Sequence, residues 1–174
     1  ADGCVGDPQV ITMTINPEPV VSGTLDKTVC SDTPLALTLN TNGSSVAAAS
    51  YDITARSVAV GLSPAVGNAA VPTSGVGVNY LATDEFTNTG NAPLTVGYTV
   101  VPISADGCLG DPHIVTVTIA PEPVVSTSLN ATVCSDQVTG LVLNTNGLSV
   151  AASNYNITAS TVSPGLVAAG GNAV

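Results

Sequence analysis

The chain has 174 residues, 44% of them hydrophobic and only 8% charged, with 12 acidic side chains against two basic ones and a formal net charge of −10. With Lys27 and Arg56 as the only cations, its surface cannot displace counterions from a phosphate backbone, which excludes nucleic acid as a partner. No apolar run reaches the 18 or more residues of a membrane span and no charged-then-apolar leader opens the chain, so this segment is expected to cross no membrane and any export signal to lie outside it.

Val and Thr, which favour strands, are interleaved with 17 Gly and 12 Pro, which favour turns, and this mixture points to an all-β class. The first 70 residues return 104 positions later without a gap, with 43 identities between residues 1–70 and 105–174. Such self-similarity marks a tandem array of one module rather than a two-lobed enzyme. A period of 104 residues is the size of one small domain. The second copy stops at Val174, before its counterpart of residues 71–104, so the chain reads as a segment of a longer polymer.

Residues 2–7 hold Asp2, Cys4 and Asp7 in turn-forming surroundings. Residues 9–15 then alternate, with Ile11, Met13 and Ile15 on one face and Thr12 and Thr14 on the other, which predicts a half-buried strand. Pro17, Glu18 and Pro19 form a stiff hinge, because proline fixes one torsion and biases its predecessor towards extended backbone. Strands are predicted over residues 20–25 and over 35–39, where Leu35, Leu37 and Leu39 share a face. A turn follows at Asn40-Thr-Asn-Gly43.

Further strands are predicted over 51–57, 76–82 and 94–103, separated by turn signals at 61–64 and 88–93. Tyr98 has two readings, a tyrosine corner at the start of the sixth strand or an ordinary half-buried strand tyrosine. Asp84 and Glu85 read as a loop pair. The turn Asp106-Gly-Cys-Leu-Gly-Asp-Pro112 leads into a seventh alternating run with Val115, Val117 and Ile119, entered at His113, and the hinge returns as Pro121, Glu122 and Pro123. No window shows sustained helical periodicity. The expectation is about seven strands per module in a β-sandwich.

Cys4, Cys30, Cys108 and Cys134 recur with the same 104-residue spacing. An even count, no CxxC pair and a single histidine favour disulfides in an oxidising compartment over a metal site. Asp2, Asp7, Asp106 and Asp111 flank the cysteine loops, and oxygen ligands from several loops could hold calcium between modules. No EF-hand or nonapeptide spacing supports that, and solvated turn residues are the plainer reading. His113 has Gln9 as its counterpart, no nucleophile elbow or HExxH pattern is present, and a repeated active site would repeat its base, so no enzyme and no cofactor are expected.

Val-Cys-Ser at 29–31, the Tyr98-Thr-Val-Val run, the 106–112 turn, and the alternating Val and Thr leading into Pro-Glu-Pro at 121–123 together resemble immunoglobulin-like and PKD-like repeats of giant surface proteins of gliding Bacteroidetes bacteria. The resemblance implies a secreted cell-surface adhesin or extracellular filament built from many such sandwiches. Its partners would be neighbouring repeats, other copies in a filament, or an external surface or glycan. In an immunoglobulin-like strand order residues 1–17 are the last strand of a preceding module, 18–121 a complete module, and 122–174 the first half of the next. That order puts Cys30 and Cys108 at opposite ends of the sandwich, too far apart for a bond. Two pairings stay open. A hairpin folded at each Pro-Glu-Pro would join Cys4 to Cys30 and Cys108 to Cys134, and this local pairing is the expectation. The alternative joins the Cys30 of one module to the hairpin cysteine of the module after it.

Overall fold

The computed structural model describes residues 2–167. Among these residues seven strands form and no helix: β1 (Lys27–Cys30), β2 (Ala48–Val58), β3 (Ser63–Pro64), β4 (Thr73–Val76), β5 (Phe86–Thr87), β6 (Leu94–Ser104) and β7 (His113–Ala120). One sheet has the order β1-β7-β6-β2-β4, antiparallel except for the parallel pair β1 and β7, and a second sheet holds β3 and β5. This is the all-β sandwich with about seven strands that the alternation and turn chemistry predicted.

The long strands follow from strict alternation. On β6, Val96, Tyr98 and Val100 are buried, and on β7 Val115, Val117 and Ile119 are. The register sets Val96 opposite Val117 and Tyr98 opposite Val115, so the apolar faces coincide across the pair. Tyr51 and Ile53 add the β2 contribution.

The second layer is less regular. Residues 32–39 hydrogen-bond along residues 78–86 through Asp32 N to Phe86 O, Leu35 N to Asp84 O, Ala36 N to Ala82 O and Leu39 N to Val78 O, at 2.8–3.0 Å. Ala65 N donates to Glu85 O on the far side, and Ser22 N to Asn40 O with Asn42 N to Val20 O attaches the start of the module. Leu35, Leu37, Leu39, Leu81 and Phe86 from this layer share one core with the five-stranded sheet.

The two layers are also joined by polar groups. The Tyr98 hydroxyl donates to Asp84 Oδ2 at 2.5 Å, Ala69 N donates to Asp84 Oδ1 at 2.6 Å, and Arg56 Nη1 lies 3.8 Å from Asp84 Oδ2. Tyr98 and Asp84 are both fully buried. Burial first, and then the neighbouring carboxylate, push the phenol far above its ordinary value. A tyrosine corner bonds to backbone a few residues upstream; Tyr98 bonds to a side chain in the opposite layer, so neither sequence reading describes it. Asp84 lies in the loop before β5, as expected, but is buried there.

Four expected strands take other forms. Residues 9–15 form none, and Val10, Ile11, Met13 and Ile15 are more than four-fifths exposed. Their pattern is that of β7, but β7 is a strand because β6 and β1 flank it, and residues 9–15 have no such neighbours. Residues 20–25 provide only the isolated pairing of Val21 with Thr41, and the strand falls later, at β1. Within 76–82, β4 ends at Val76 and successive turns follow, with Tyr80 N bonded to Gly77 O and Ala82 N to Asn79 O. Residues 35–39 are extended and buried on alternate positions, but Ala36 at φ +46° breaks the ladder.

The second copy repeats local geometry position for position. Val124 N donates to Ser149 Oγ as Val20 N does to Ser45 Oγ, and Asn146 Oδ1 receives the N–H groups of Leu148 and Ser149 as Asn42 Oδ1 receives those of Ser44 and Ser45. Val125 pairs with Thr145 as Val21 does with Thr41. Long-range burial is not repeated: Leu37 and Leu39 are buried, whereas their counterparts Leu141 and Leu143 are 49% and 37% exposed, since none of the described residues covers them as residues 78–86 cover the first copy.

The counterpart of Ala36 is Gly140, at φ +58°. A Cβ in the left-handed region is strained, and glycine relieves it at some cost in unfolded-state entropy. Ala36→Gly is therefore expected to stabilise the module by up to about 1 kcal/mol, a rise of a few degrees in thermal denaturation.

Candidate functional site

The surfaces that recur with the period are the two ends of the module, and these are where the hinge and cysteine residues lie. At the leading end the β6–β7 hairpin is closed by Ser104 N to Cys108 O, Gly107 N to Ser104 O, Cys108 N to Ser104 Oγ and Gly110 N to Pro102 O, all 2.9–3.0 Å. Gly107 takes φ +81°, as Gly3 takes a positive φ in the first copy. The incoming chain crosses this hairpin. Pro19 is buried against Gly110, where a Cβ would overlap the Pro19 carbonyl oxygen and press on Pro102. The Cys108 thiol points at the Asn16 carbonyl, Sγ to O 3.9 Å.

The trailing end is built on Asn88, which is fully buried. Its Nδ2 donates to Ile119 O and Ala92 O, its Oδ1 accepts from Gly90 N, its backbone N donates to Ser31 Oγ, and its carbonyl accepts from Glu122 N. Ser31 N donates to Ala120 O at 2.9 Å, one residue beyond the parallel pairing of Cys30 with Ala120. Every polar group of this asparagine is thereby used, tying the end of β7 and the start of the hinge to residues 90–92 and to Ser31. Asp32 accepts from Thr87 Oγ1 and stands beside Glu122. Loss of solvent first, and then the Asp32 carboxylate, raise the Glu122 carboxyl above its ordinary value of 4.5.

Because Ala120 and Pro123 are the counterparts of Asn16 and Pro19, residues 120–123 have two roles. They finish β7 and start the connection after it, while their counterparts 16–19 seat on the β6–β7 hairpin. The expected hinge residues Pro17, Glu18, Pro19, Pro121, Glu122 and Pro123 all fall in these two connections.

None of the four cysteines is bonded to another. Cys4, Cys30 and Cys134 are exposed and Cys108 is half-buried. The hairpins expected at the Pro-Glu-Pro segments do not form: both edges of β7 are taken, by β6 and β1, so residues 124–134 cannot run back along it. Asp2, Asp7, Asp106 and Asp111 are exposed loop residues, and no group of three or more His, Cys, Asp or Glu placed to hold a metal ion occurs among the described residues. His113 opens β7, as a strand-entry residue. Sequence reasoning passed over Asn88 and Gly110, whose importance arises from burial and close approach rather than from any motif.

A two-layer β-sandwich with an edge strand that runs parallel to the last strand defines the class as an immunoglobulin-type module. The family model of the PKD-like domain matches residues 27–123, more than half of the chain, and the chain belongs to that family. No curated protein and no solved structure matches it.

Two substitutions probe the ends. Gly110→Ala forces a methyl into the Pro19 backbone and is expected to destabilise the module by about 1–3 kcal/mol in chemical denaturation. For Glu122, a folded value raised above the unfolded one means that the charge-charge conflict is absent below the unfolded value and grows as pH rises through the folded one. Glu122→Gln is expected to raise stability at pH 7 by a few tenths of a kcal/mol and to leave it unchanged at acid pH, where the Glu122 carboxyl is neutral; thermal melts at the two pH values measure the difference.

Proposed function

We propose that this chain is a structural repeat segment of a secreted bacterial cell-surface adhesin or extracellular filament, a mechanical stalk or fibre without catalysis. Membership of the PKD-like family supports an extracellular structural or adhesive module. The observation that supports the mechanical reading is that residues 16–19 seat on the β6–β7 hairpin while their counterparts 120–123 finish β7; in an array such a segment completes one sandwich, packs on the next and transmits tension directly between cores. Two prolines in that segment narrow its backbone freedom, which limits bending at each joint. The eleven residues of β6 give each module a long dimension of about 35 Å, so an array reaches far from a surface with little material. A net charge of −10 keeps such arrays apart through mutual repulsion.

Small-angle scattering tests the proposal on chains lengthened by one, two and three periods through reinsertion of residues 18–121 after Pro121. The radius of gyration is expected to grow nearly in proportion to the number of modules. Growth with roughly the 0.38 power of chain length, as for a globule, would overturn it. Saturable glycan binding by a single module would instead assign the ends to ligand recognition.

A further inference from the structure

We infer that this chain docks head to tail with a second copy of itself by strand donation, residues 9–16 of one molecule lying parallel to residues 131–135 of the other. The inference rests on the filament reading above and deepens it by naming the two segments that join separate chains. Both segments are without a strand partner. Val10, Ile11, Met13 and Ile15 are each more than four-fifths exposed, and among the described residues no strand runs beside them. On the receiving side Val133, Leu141, Leu143 and Ile157 are 37–52% exposed.

The complete module shows how the two segments fit. There β1 lies parallel to β7, with Lys27 opposite Val117, Thr28 opposite Thr118, Val29 opposite Ile119 and Cys30 opposite Ala120. The counterparts of β7 are residues 9–16 and those of β1 are residues 131–134, so the same register sets Met13 opposite Ala131, Ile15 opposite Val133 and Asn16 opposite Cys134. Two polar links between these strands carry over with their chemistry. Ser31 N donates to Ala120 O at 2.9 Å and Thr116 N to Asp26 Oδ1 at 2.7 Å; the counterparts are Ser135 N with Asn16 O, and Thr12 N with the side-chain carbonyl of Asn130. The turn after β1 is already formed in the second copy, where Asp136 takes φ +63° as Asp32 takes +55°. In the module, Val115, Val117 and Ile119 share a core with Leu25, Leu37 and Leu39, and the receiving copy offers Leu129, Leu141 and Leu143 in those places to Ile11, Met13 and Ile15.

The partner is a second molecule because the two segments lie at opposite ends of one module. Residues 16–19 seat on the β6–β7 hairpin, whereas residues 121–123 leave from the far end of β7, about 25 Å of strand away. The complete module offers the donated strand no place, since β6 and β1 take both edges of β7. Charge favours the same pairing. None of the 12 acidic residues falls within residues 8–17, and Asp136 is the only one within residues 123–174, so the repulsion that keeps modules apart is weakest where these segments meet. The donated strand brings main-chain bonds and apolar cover, as in other strand additions. It brings no counterpart of β6, so the joint is reversible and its occupancy depends on concentration.

Sedimentation equilibrium of the 174-residue chain in a reducing buffer tests the inference. The mean mass is expected to rise above that of the monomer as concentration increases. The double variant Ile11→Asp, Ile15→Asp is expected to stay monomeric with the module's thermal melt unchanged, because both side chains are exposed in the single molecule. Val133→Pro, which removes a ladder donor two residues before Ser135, is expected to stay monomeric as well. An equimolar mixture of these two chains is expected to form dimers and nothing larger, since one intact donated strand meets one intact receiving segment. A 174-residue chain that is monomeric at every concentration, association that survives either variant, or a mixture that stays monomeric would each overturn strand donation. Scattering from the covalently lengthened chains carrying Ile11→Asp and Ile15→Asp keeps the two ideas apart: a radius of gyration that grows with module number upholds the array even where donation fails, and a compact profile overturns the array and the head-to-tail joint with it.

Discussion

The buried carboxylate of Asp84 is the contact on which the sandwich depends. An ionisable group without solvent is costly unless its oxygens are filled, and here they are filled by three separate parts of the chain: the Tyr98 hydroxyl from β6, the Ala69 amide from the connection before β4, and the Arg56 guanidinium from β2. Leaving such a group without its partners costs about 3–5 kcal/mol, a large share of the stability of a small domain. The layer containing residues 78–86 is poor in regular ladder, so this polar clamp fixes its distance and register against the five-stranded sheet where backbone pairing alone would not. With no tryptophan and a core of Leu, Val and Ile around Tyr98 and Phe86, the module has little aromatic mass to lock its layers by shape.

The same logic governs the joints. Asn88 does at the trailing end what Asp84 does in the core, spending all of its hydrogen-bonding capacity on backbone from β7, from the loop after β5 and from the hinge and on the Ser31 hydroxyl. The leading end uses the opposite device, the absence of a side chain at Gly110, which lets the incoming backbone lie directly on the hairpin. In the tandem array proposed above, a joint made of one saturated amide and one backbone-on-backbone contact is short and leaves little slack between cores, which is the property a load-carrying array needs.

Several parts of this arrangement were legible in the residues. The alternation of Val115, Val117 and Ile119 and the inward run of β6 gave the long strands, and the repeated Pro-Glu-Pro marked the joints. The cysteine positions were countable, but their geometry was not, because the hairpin pictured at Pro-Glu-Pro needs a free edge on β7 and both edges are occupied. Asp84 was legible as a loop residue but not as a buried one, because only the arrival of Tyr98 and Arg56 from distant strands makes its burial tolerable. Asn88 lies in a stretch rich in Asn, Thr and Gly, where nothing local distinguishes a buried residue from its exposed neighbours.

The sequence alone determined the period, the all-β class and the local turn geometry, because these depend on side-chain chemistry within a few residues; the bonds of Asn42 and Asn146, 104 positions apart, come out alike. Tertiary structure decided which alternating segments become strands and which leucines are buried. Residues 9–15 and 113–120 carry the same pattern, and only the second has a strand on each side; Leu39 and Leu143 stand in the same motif, and only Leu39 has residues 78–86 laid against it. A strand and a core position are relations between distant parts of a chain, so their formation depends on neighbours that a local pattern does not contain.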